Sequence, residues 1–489
     1  MKLSDLFRDV HGTRVNGNGT AEITGLAYSS KQVEPGFLFA ALKGKKADGN
    51  DFVEEAIERG AGVVLSSRPK PQNVKAVWVQ AADPREALAL AAANFYSHPS
   101  MKMKIVGITG TKGKTTLTYL LESILSKAGF QPAVIGTVNY RWQDTLVSAD
   151  RTTPEAPDLQ RMMSEMLERG VSHCLVEVSS HALDLKRVWG IHFDIAVFTN
   201  LSPEHLDYHA SLEDYFAAKK RLFFLNAKKR TAVVNFDDPW GKKLMSELPL
   251  KTVSFGFEPA SIVRGQEHKL SETGIKALVD YPGGQLKICS PLMGKHNLYN
   301  ILAGIAAGLA LNVPVAAIKD GISSLRGIPG RMEKIETSLG IQVFVDYAHT
   351  DEALRSLLET VRDLKPQRIF LVFGAGGDRD KGKRARMGEV AASLADVAFL
   401  TSDNPRSEDP EAIIADIEKG FTLKGAKNYE RVPDRKEAIA RALASAKKGD
   451  YVLIAGKGHE KYQVIKEQRI PFDDAEIARS FLKAMESGT

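Results

Sequence analysis

Apolar and polar positions along the chain alternate between two periods, and the alternation divides it into three stretches. In the first hundred residues short apolar runs such as GFLFAAL (36–42) and GVVLSS (62–67) predict strands. The stretch ALALAAANFY (87–96) predicts a helix, and the turn-rich HPS (97–99) closes it. From residue 104 a fully apolar run, KIVGITG, predicts a buried strand entering a glycine-rich turn, with a helix over about 114–127 behind it. Further apolar runs end at Thr137, Ser179 and Leu201. Helical patterns separate them, notably DLQRMMSEMLERG (158–170) and LEDYFAAKKRLFFL (212–225). Strand–helix alternation of this kind predicts a mostly parallel sheet. A long helical pattern, NLYNILAGIAAGLAL (297–311), precedes GIPGR (327–331), whose Gly-Pro-Gly reads as a linker. The alternation then resumes with IQVFVD (341–346), RIFLVFG (368–374), VAFLTSD (397–403) and YVLIAG (451–456), the pattern of a doubly wound domain. The expected fold class is therefore α/β in three domains. These are a small N-terminal α/β domain over 1–100, a central mostly parallel α/β domain over 101–331, and a C-terminal doubly wound, Rossmann-like domain over 332–489.

Composition narrows the class without changing the fold. The chain has 489 residues, long enough for about three domains, with 43% hydrophobic and 26% charged residues. A net charge of +6 is mild for this length and suits anionic small molecules better than nucleic acid. The two cysteines, Cys174 and Cys289, do not make a disulfide framework, and Cys174 lies in an apolar run as a small core residue. No apolar stretch approaches the ~20 residues needed to cross a membrane, and MKLSDLFRDV lacks the apolar centre of a signal peptide. The expectation is a cytoplasmic, monomeric protein with no nucleic-acid or membrane partner.

The strongest chemical signal is GITGTKGKTT (107–116), which leaves a strand and opens a helix. Backbone N–H groups of such a turn face a polyphosphate, and the helix dipole adds a favourable field. Gly110, Thr111, Lys112, Gly113, Lys114, Thr115 and Thr116 form the candidate phosphate loop. Lys114 reaches the outer phosphates, and the Thr115 hydroxyl is placed for Mg²⁺. Ile108 stands where the strict Walker pattern has glycine, so this is a compact variant of that loop.

GTKGKTT resembles the nucleotide loop of the Mur ligases and of the related folylpolyglutamate synthetases. Further matches follow in family order: TTP (152–154), EVSSHAL (177–183), TNLSPEHLDYH (199–209), AAK (217–219), GKHN (294–297), GR (330–331), DYAH (346–349), GGDRDKGKR (376–384), DNPR (403–406) and GKGHE (456–460). The set looks like the members that add diaminopimelate, or lysine, to a UDP-linked peptidoglycan precursor.

That resemblance implies ATP and Mg²⁺ as cofactors and UDP-MurNAc-L-Ala-D-Glu and meso-diaminopimelate as partners. It implies that Glu177 and His205 join Thr115 around metal, and that Lys219 is carbamylated. Its neighbour Lys220 is not separated from it by spacing alone. Asn297, Arg331 and Asp346 are implied at the nucleotide. Ser30, Thr152, Thr153, Ser179 and Arg187 are implied at the UDP-precursor. Ser29, Ser30 and Lys31 stand where the family carries Asp-Ser-Arg, and Leu185 stands where some members carry Gln. His296 and His349 have no assigned role.

The residues of the last domain carry an argument of their own. Three of its expected strands end in GAGGDR, TSDNPR and AGKGHE. Ligands bind beyond the carboxyl ends of parallel strands. Arg379 and Arg406 there suit carboxylates, while Asp403, Asn404 and Glu460 suit an ammonium, with Pro405 and Gly456 shaping the turns. A substrate amino acid with more than one carboxylate fits this inventory, and DNPR resembles the diaminopimelate-adding form. The competing reading of the neighbouring KGKRAR (381–386) is surface ion-pairing. A lysine-adding ligase, a folate glutamylating ligase and a nucleotide switch without ligation remain the alternatives.

Overall fold

The computed structural model describes residues 1–44, 47–225 and 230–488. They form two compact units. Of the described residues, one comprises those within 1–264, 280–284 and 300–321; the other comprises those within 265–279, 285–299 and 322–488.

The first unit holds two sheets. The N-terminal sheet contains β1 (Thr13–Asn16), β2 (Gly25–Ala27), β3 (Phe37–Ala40), β4 (Val63–Ser66) and β5 (Val77–Ala81), in the order β1-β5-β4-β3-β2. All neighbours are parallel except β1 and β5. Side chains alternate across it with the two-residue period of a strand. Leu38, Ala40 and Leu65 enter one core with Leu3, Leu6 and Leu88, while Phe39, Ala41 and Val64 enter the other with Val53 and Trp78. The helix Pro84–Phe95 starts where Asp83 accepts hydrogen bonds from the Arg85 and Glu86 amides.

The central sheet is built on β6 (Lys104–Thr109), β7 (Pro132–Ile135), β8 (Asn139–Trp142), β9 (Thr145–Ser148), β10 (His173–Glu177), β11 (Ile195–Phe198), β12 (Thr231–Asn235) and β13 (Lys251–Gly256). Its order runs β13-β12-β11-β6-β10-β7-β8-β9. From β13 to β7 every pair is parallel; β8 and β9 add an antiparallel margin that the apolar pattern did not announce. β6 lies between β10 and β11, so the chain crosses over on both sides of it. The crevice beyond the carboxyl ends of β6, β10 and β11 is the place where such sheets bind ligands. Cys174 is buried in β10, and burial pushes its thiol up to about 12, as a core cysteine requires. The strands β14 (Val263–Ser271), β15 (Gly274–Tyr281) and β16 (Gly284–Ser290) follow, then the helix Lys295–Ala310.

The second unit carries β17 (Glu333–Ile335), β18 (Gln342–Asp346), β19 (Ile369–Phe373), β20 (Val397–Leu400), β21 (Tyr429–Arg431) and β22 (Tyr451–Ala455), in the order β17-β18-β22-β19-β20-β21. Only β17 is antiparallel to its neighbour. Both faces are covered: Ile369, Leu371 and Phe373 enter one core, Phe370 and Val372 the other. That double burial explains why these strands read as unbroken apolar runs. A small hairpin, β23 (Tyr462–Ile465) with β24 (Gln468–Pro471), follows β22. Among the described residues no helix is long and apolar enough to cross a membrane.

Candidate active site

The phosphate loop is shaped by two glycines that no other residue replaces without strain. Gly110 has φ +144°, and a Cβ there would stand 1.9 Å from Thr199 Oγ1. Gly113 has φ +88°, and a Cβ there would stand 2.4 Å from Asn300 Oδ1. Asn200 braces the turn: its carbonyl accepts from the Thr111 amide at 2.9 Å, and its Oδ1 from the Lys112 amide at 2.9 Å. The helix Lys114–Lys127 starts next, with Thr115 and Thr116 buried in its first turn. Lys114 Nζ folds back onto the carbonyls of Gly110 (2.9 Å) and Thr111 (2.8 Å).

Glu177 ends β10 and is buried beside this helix. Its Oε2 accepts hydrogen bonds from the hydroxyls of Thr115 (3.0 Å) and Thr137 (2.8 Å), and its Oε1 from the Thr137 amide at 3.1 Å. Gly136 makes the approach possible, since a Cβ there would lie 2.4 Å from Glu177 Oε1. Thr137 also meets Thr152, hydroxyl to hydroxyl at 3.1 Å. The sequence reading missed Thr137 as a site residue. Its signal was available: it follows β7 on the same sheet edge as Glu177.

Lys219 lies in the helix Leu212–Phe224, which begins where Ser211 caps the Asp214 amide. The side chain is 1% exposed; Nζ donates to Gly110 O at 2.8 Å and lies 4.3 Å over the Tyr215 ring. The carbonyl of Gly110 thus accepts from two lysines at once. Burial first, and the neighbouring Lys114 charge second, hold the Lys219 ammonium well below the usual lysine range. Lys220, one residue on, points elsewhere and pairs with Glu247 at 2.7 Å. His205 has φ +58° and lies with its ring 5.0 Å from His181 and 6.0 Å from Tyr215. Burial lowers its pKa, with Glu204 opposing and the Lys114 and Lys219 charges adding to the fall.

The residues expected at the precursor are joined to this centre through Thr153. Its hydroxyl donates to Glu177 O at 2.7 Å and accepts from the Ser179 amide at 3.1 Å, while Ser179 Oγ caps Ala182 N. Arg187 Nη1 donates to Thr153 O at 3.0 Å. Ser30 is not part of the group; its hydroxyl bonds to Glu55 at 2.9 Å inside the N-terminal domain.

In the second unit Asn297 is buried and donates to Met293 O at 2.8 Å. Arg331 stacks 4.8 Å over the Tyr347 ring. Asp346 accepts from the amides of Met332 (2.7 Å) and Ala348 (2.8 Å). Burial raises its carboxyl pKa against the pull of Arg331.

The strand ends of β19, β20 and β22 gather the remaining candidates. Gly376 lies against the Arg406 guanidinium and the Arg379 stem: an added Cβ there would meet Arg406 Nη1 at 2.9 Å and Arg379 Cγ at 3.8 Å, while Arg379 Nη1 donates to Asp378 O at 3.2 Å. Arg406 sits at φ +54° with Nη1 on Gly377 O at 2.7 Å. Gly377 lets Pro405 pass, since a Cβ there would lie 1.9 Å from Pro405 O. Asn404 Nδ2 donates to Glu460 at 2.8 Å, and the Asp403 carboxylate faces Gly456, whose φ is +117°.

Two lysines missed in the sequence belong here. Lys457 is fully buried, donating to Asn404 Oδ1 (3.1 Å) and Glu460 (3.3 Å). Lys383 donates to His349 O at 2.9 Å, and burial lowers its pKa against the pull of Asp403. Surface ion-pairing fits Lys381 and Arg386 of that basic segment but not Arg384. Arg384 is buried and grips Glu408 and Asp416.

A nucleotide loop, a buried lysine beside it and an arginine-lined sheet edge in a second α/β domain are the parts of an ATP-dependent ligase, and comparison with known proteins agrees. Residues 108–308 match the Mur ligase middle domain, 330–458 the Mur ligase glutamate ligase domain, and 22–96 the Mur ligase family catalytic domain. The chain belongs to the Mur ligase family. A relative in Geobacter metallireducens, named UDP-N-acetylmuramoyl-L-alanyl-D-glutamate–2,6-diaminopimelate ligase, is 43% identical, with 100% of each chain covered. A relative of the same name in Solibacter usitatus is 44% identical, with 94% of each covered. A solved structure bearing that enzyme name superposes with a TM-score of 0.71 at 32% identity, covering 99% of both chains. That solved structure shares the expected α/β fold class over 99% of this chain.

Proposed function

We propose that the protein joins meso-diaminopimelate to the D-glutamate γ-carboxylate of UDP-MurNAc-L-Ala-D-Glu at the expense of ATP, in the cytoplasm and as a monomer. Domains over 1–100, 101–331 and 332–489 would serve the precursor, ATP and the amino acid respectively. The observation that carries the reading is the Arg406 guanidinium against Gly376, with the Arg379 stem flanking the same glycine and the Asn404–Glu460 pair two residues along the chain from Arg406. Two guanidiniums and an amide–carboxylate pair at one sheet edge suit a substrate with two carboxylates and two ammonium groups.

The precursor γ-carboxylate attacks the γ-phosphorus of ATP, giving an acyl phosphate and ADP. Lys114 leaves the Gly110 and Thr111 carbonyls and neutralises charge on the transferring phosphoryl group. Thr153, Ser179 and Arg187 hold the precursor. The free amine of diaminopimelate then attacks the acyl carbon, phosphate departs, and an amide remains; no side chain becomes covalently attached.

The donor set fits Mg²⁺. Glu177 and Thr115 offer oxygen, which Mg²⁺ favours, with His205 as a less favoured nitrogen donor. Among the described residues no three His, Cys, Asp or Glu side chains cluster as a metal site, so these residues would hold the ion only together with oxygen ligands from outside the chain. When bound, the ion neutralises phosphate charge. Lys219 is suited to carbamylation because its suppressed charge leaves an amine able to capture CO₂.

ADP release in the presence of the UDP-dipeptide and a panel of amino acids tests the proposal. Turnover should require both substrates and prefer meso-diaminopimelate. Preference for lysine would reassign the amino-acid site, and turnover with folate and glutamate alone would overturn the reading.

A further inference from the structure

We infer that Arg85, Arg151 and Arg187 form an oxyanion subsite, organised by Glu155, that receives an acidic group of the UDP-linked precursor. The inference rests on the ligase reading above and adds to it a residue from the N-terminal domain. Arg85 stands in the first turn of the helix Pro84–Phe95, Arg151 just before Thr152, and Arg187 just after the short helix Ser180–Asp184. All three turn towards one carboxylate. Arg187 Nε is 3.0 Å from Glu155 Oε1, Arg85 Nη1 is 3.6 Å from Glu155 Oε2, and Arg151 contacts Oε1 directly.

Three positive charges thus face one negative charge. Neighbouring carboxylates are engaged elsewhere: Asp83 and Glu86, on either side of Arg85, both pair with Lys186. Asp158 accepts from the Tyr28 hydroxyl and pairs with Arg161, and Asp184 accepts from the Tyr208 hydroxyl and pairs with Arg221. Nor is the surplus freely hydrated: the Glu155 side chain is 9% exposed, that of Arg187 10% and that of Arg85 20%. Burial, with the repulsion of Arg151 and Arg85, already works against the Arg187 charge. Unpaired charge at such depth is costly unless a counter-charge arrives. Arg85 Nη1 is buried without a hydrogen-bond acceptor among the described residues, and its ion-pair distance to Glu155 exceeds hydrogen-bond length. Glu155 also precedes the helix Ala156–Glu168, whose amino-terminal end adds positive potential.

Position identifies whose anion this is. Arg187 Nη1 holds Thr153 O, and the Thr153 hydroxyl holds Glu177 O, so the subsite is one residue removed from the Thr115–Glu177 centre. An anion bound there belongs to the molecule whose carboxylate reacts at that centre. Guanidinium forks accept carboxylate and phosphate alike. The two sources on the precursor are the α-carboxylate of its D-glutamate and its diphosphate.

The test is steady-state ligation by the full-length enzyme and by Arg85→Gln, Arg85→Lys and Arg151→Gln. Three precursors are compared: the UDP-dipeptide, its analogue with the glutamate α-carboxylate as carboxamide, and the muramoyl dipeptide lacking the uridine diphosphate. Arg85→Gln should raise KM for the UDP-dipeptide by about tenfold or more, as loss of one charge-assisted contact does. KM for ATP should stay within about twofold, and Arg85→Lys should fall between. The penalty should vanish on one truncated precursor, and that one names the anion. An unchanged KM, or a penalty that persists equally on both truncated precursors, overturns the subsite. Should Arg85→Gln fail to fold, Arg151→Gln, on the half-exposed rim, decides by the same criteria. A wild-type enzyme that ligates nothing to the UDP-dipeptide overturns the ligase reading and this inference together. An active wild type with an indifferent Arg85→Gln overturns the inference alone.

Discussion

Replacing Arg406 by alanine should collapse the preference for meso-diaminopimelate over lysine while leaving ATP handling intact. The two amino acids differ by one carboxylate at the distal carbon. Arg406 is held in place by contacts within the fold. Its amide donates to Val464 O at 3.0 Å, its carbonyl accepts from the Lys466 amide at 2.7 Å, and Nη1 rests on Gly377 O at 2.7 Å. The other donors of the fork make no hydrogen bond among the described residues. Alanine meets the same left-handed backbone, φ +54°, as arginine does, so the exchange adds no new strain there. A carboxylate held by two charge-assisted bonds of about 1.5–3 kcal/mol each, less than fully additive, loses about 3–4 kcal/mol with the fork. That is about 10²–10³ in kcat/KM. Lysine, lacking the carboxylate, should lose no more than about threefold. Arg406→Lys keeps the charge but not the planar fork and should lie between. The assay is kcat/KM for both amino acids at saturating ATP and UDP-dipeptide. A wild type that prefers lysine, or an Arg406→Ala enzyme that keeps its preference, refutes the assignment.

Three further outcomes follow from contacts around the two sites. Lys114→Ala should abolish ATP turnover in a folded protein, because the charge that reaches the outer phosphates is gone; near-normal ligation by that variant would rule out the phosphate loop. Lys219→Ala should lose most activity, with partial rescue by short carboxylic acids, and intact-mass or crystallographic analysis in bicarbonate should find a carbamate on Lys219; a free ammonium in an active, bicarbonate-equilibrated enzyme would count against it. Arg384 and the Asp378 amide hold the Glu408 carboxyl down to about 2, against an ordinary value of 4.5. A depressed carboxyl contributes its stability in full above the unfolded value and loses it as pH falls from about 4.5 towards 2. Glu408→Gln should therefore flatten the fall in Tm across that window, and an unaltered slope would show that the contact contributes nothing there.

The sequence displayed what depends on local period and on turns. Strands buried on both faces, such as β6, β19 and β22, read as unbroken apolar runs, and the glycines of the phosphate loop marked a turn with left-handed backbone. The margin strands are four residues each; β8 alternates half-buried positions with the buried Tyr140 and Trp142, and β9 is mostly exposed, so neither shows an apolar run. Site residues that follow strand ends were visible by position, and Thr137 could have been found on that same rule. What spacing could not supply was any relation set by the crossing of distant elements. Lys457 reads as one more lysine in a glycine-rich turn until β20 and β22 bring Asn404 against it. Arg85 and Glu155 are an ordinary helix-start arginine and an ordinary glutamate until the two helices they open pack together.

The choice between Lys219 and Lys220 shows why such relations matter to chemistry. Adjacent helical residues point about 100° apart, so the two cannot share one environment; spacing alone did not say which faces the core, and only the resemblance favoured Lys219. The fold turns Lys219 inward onto the carbonyl that Lys114 also occupies, and leaves Lys220 to an ordinary ion pair with Glu247. Burial first, and the Lys114 charge that shares the acceptor second, push the Lys219 ammonium well below the usual lysine range. The reactivity proposed for Lys219 therefore arises from a meeting between residues 109 positions apart, Lys219 and Gly110, and not from any feature of the segment in which it lies.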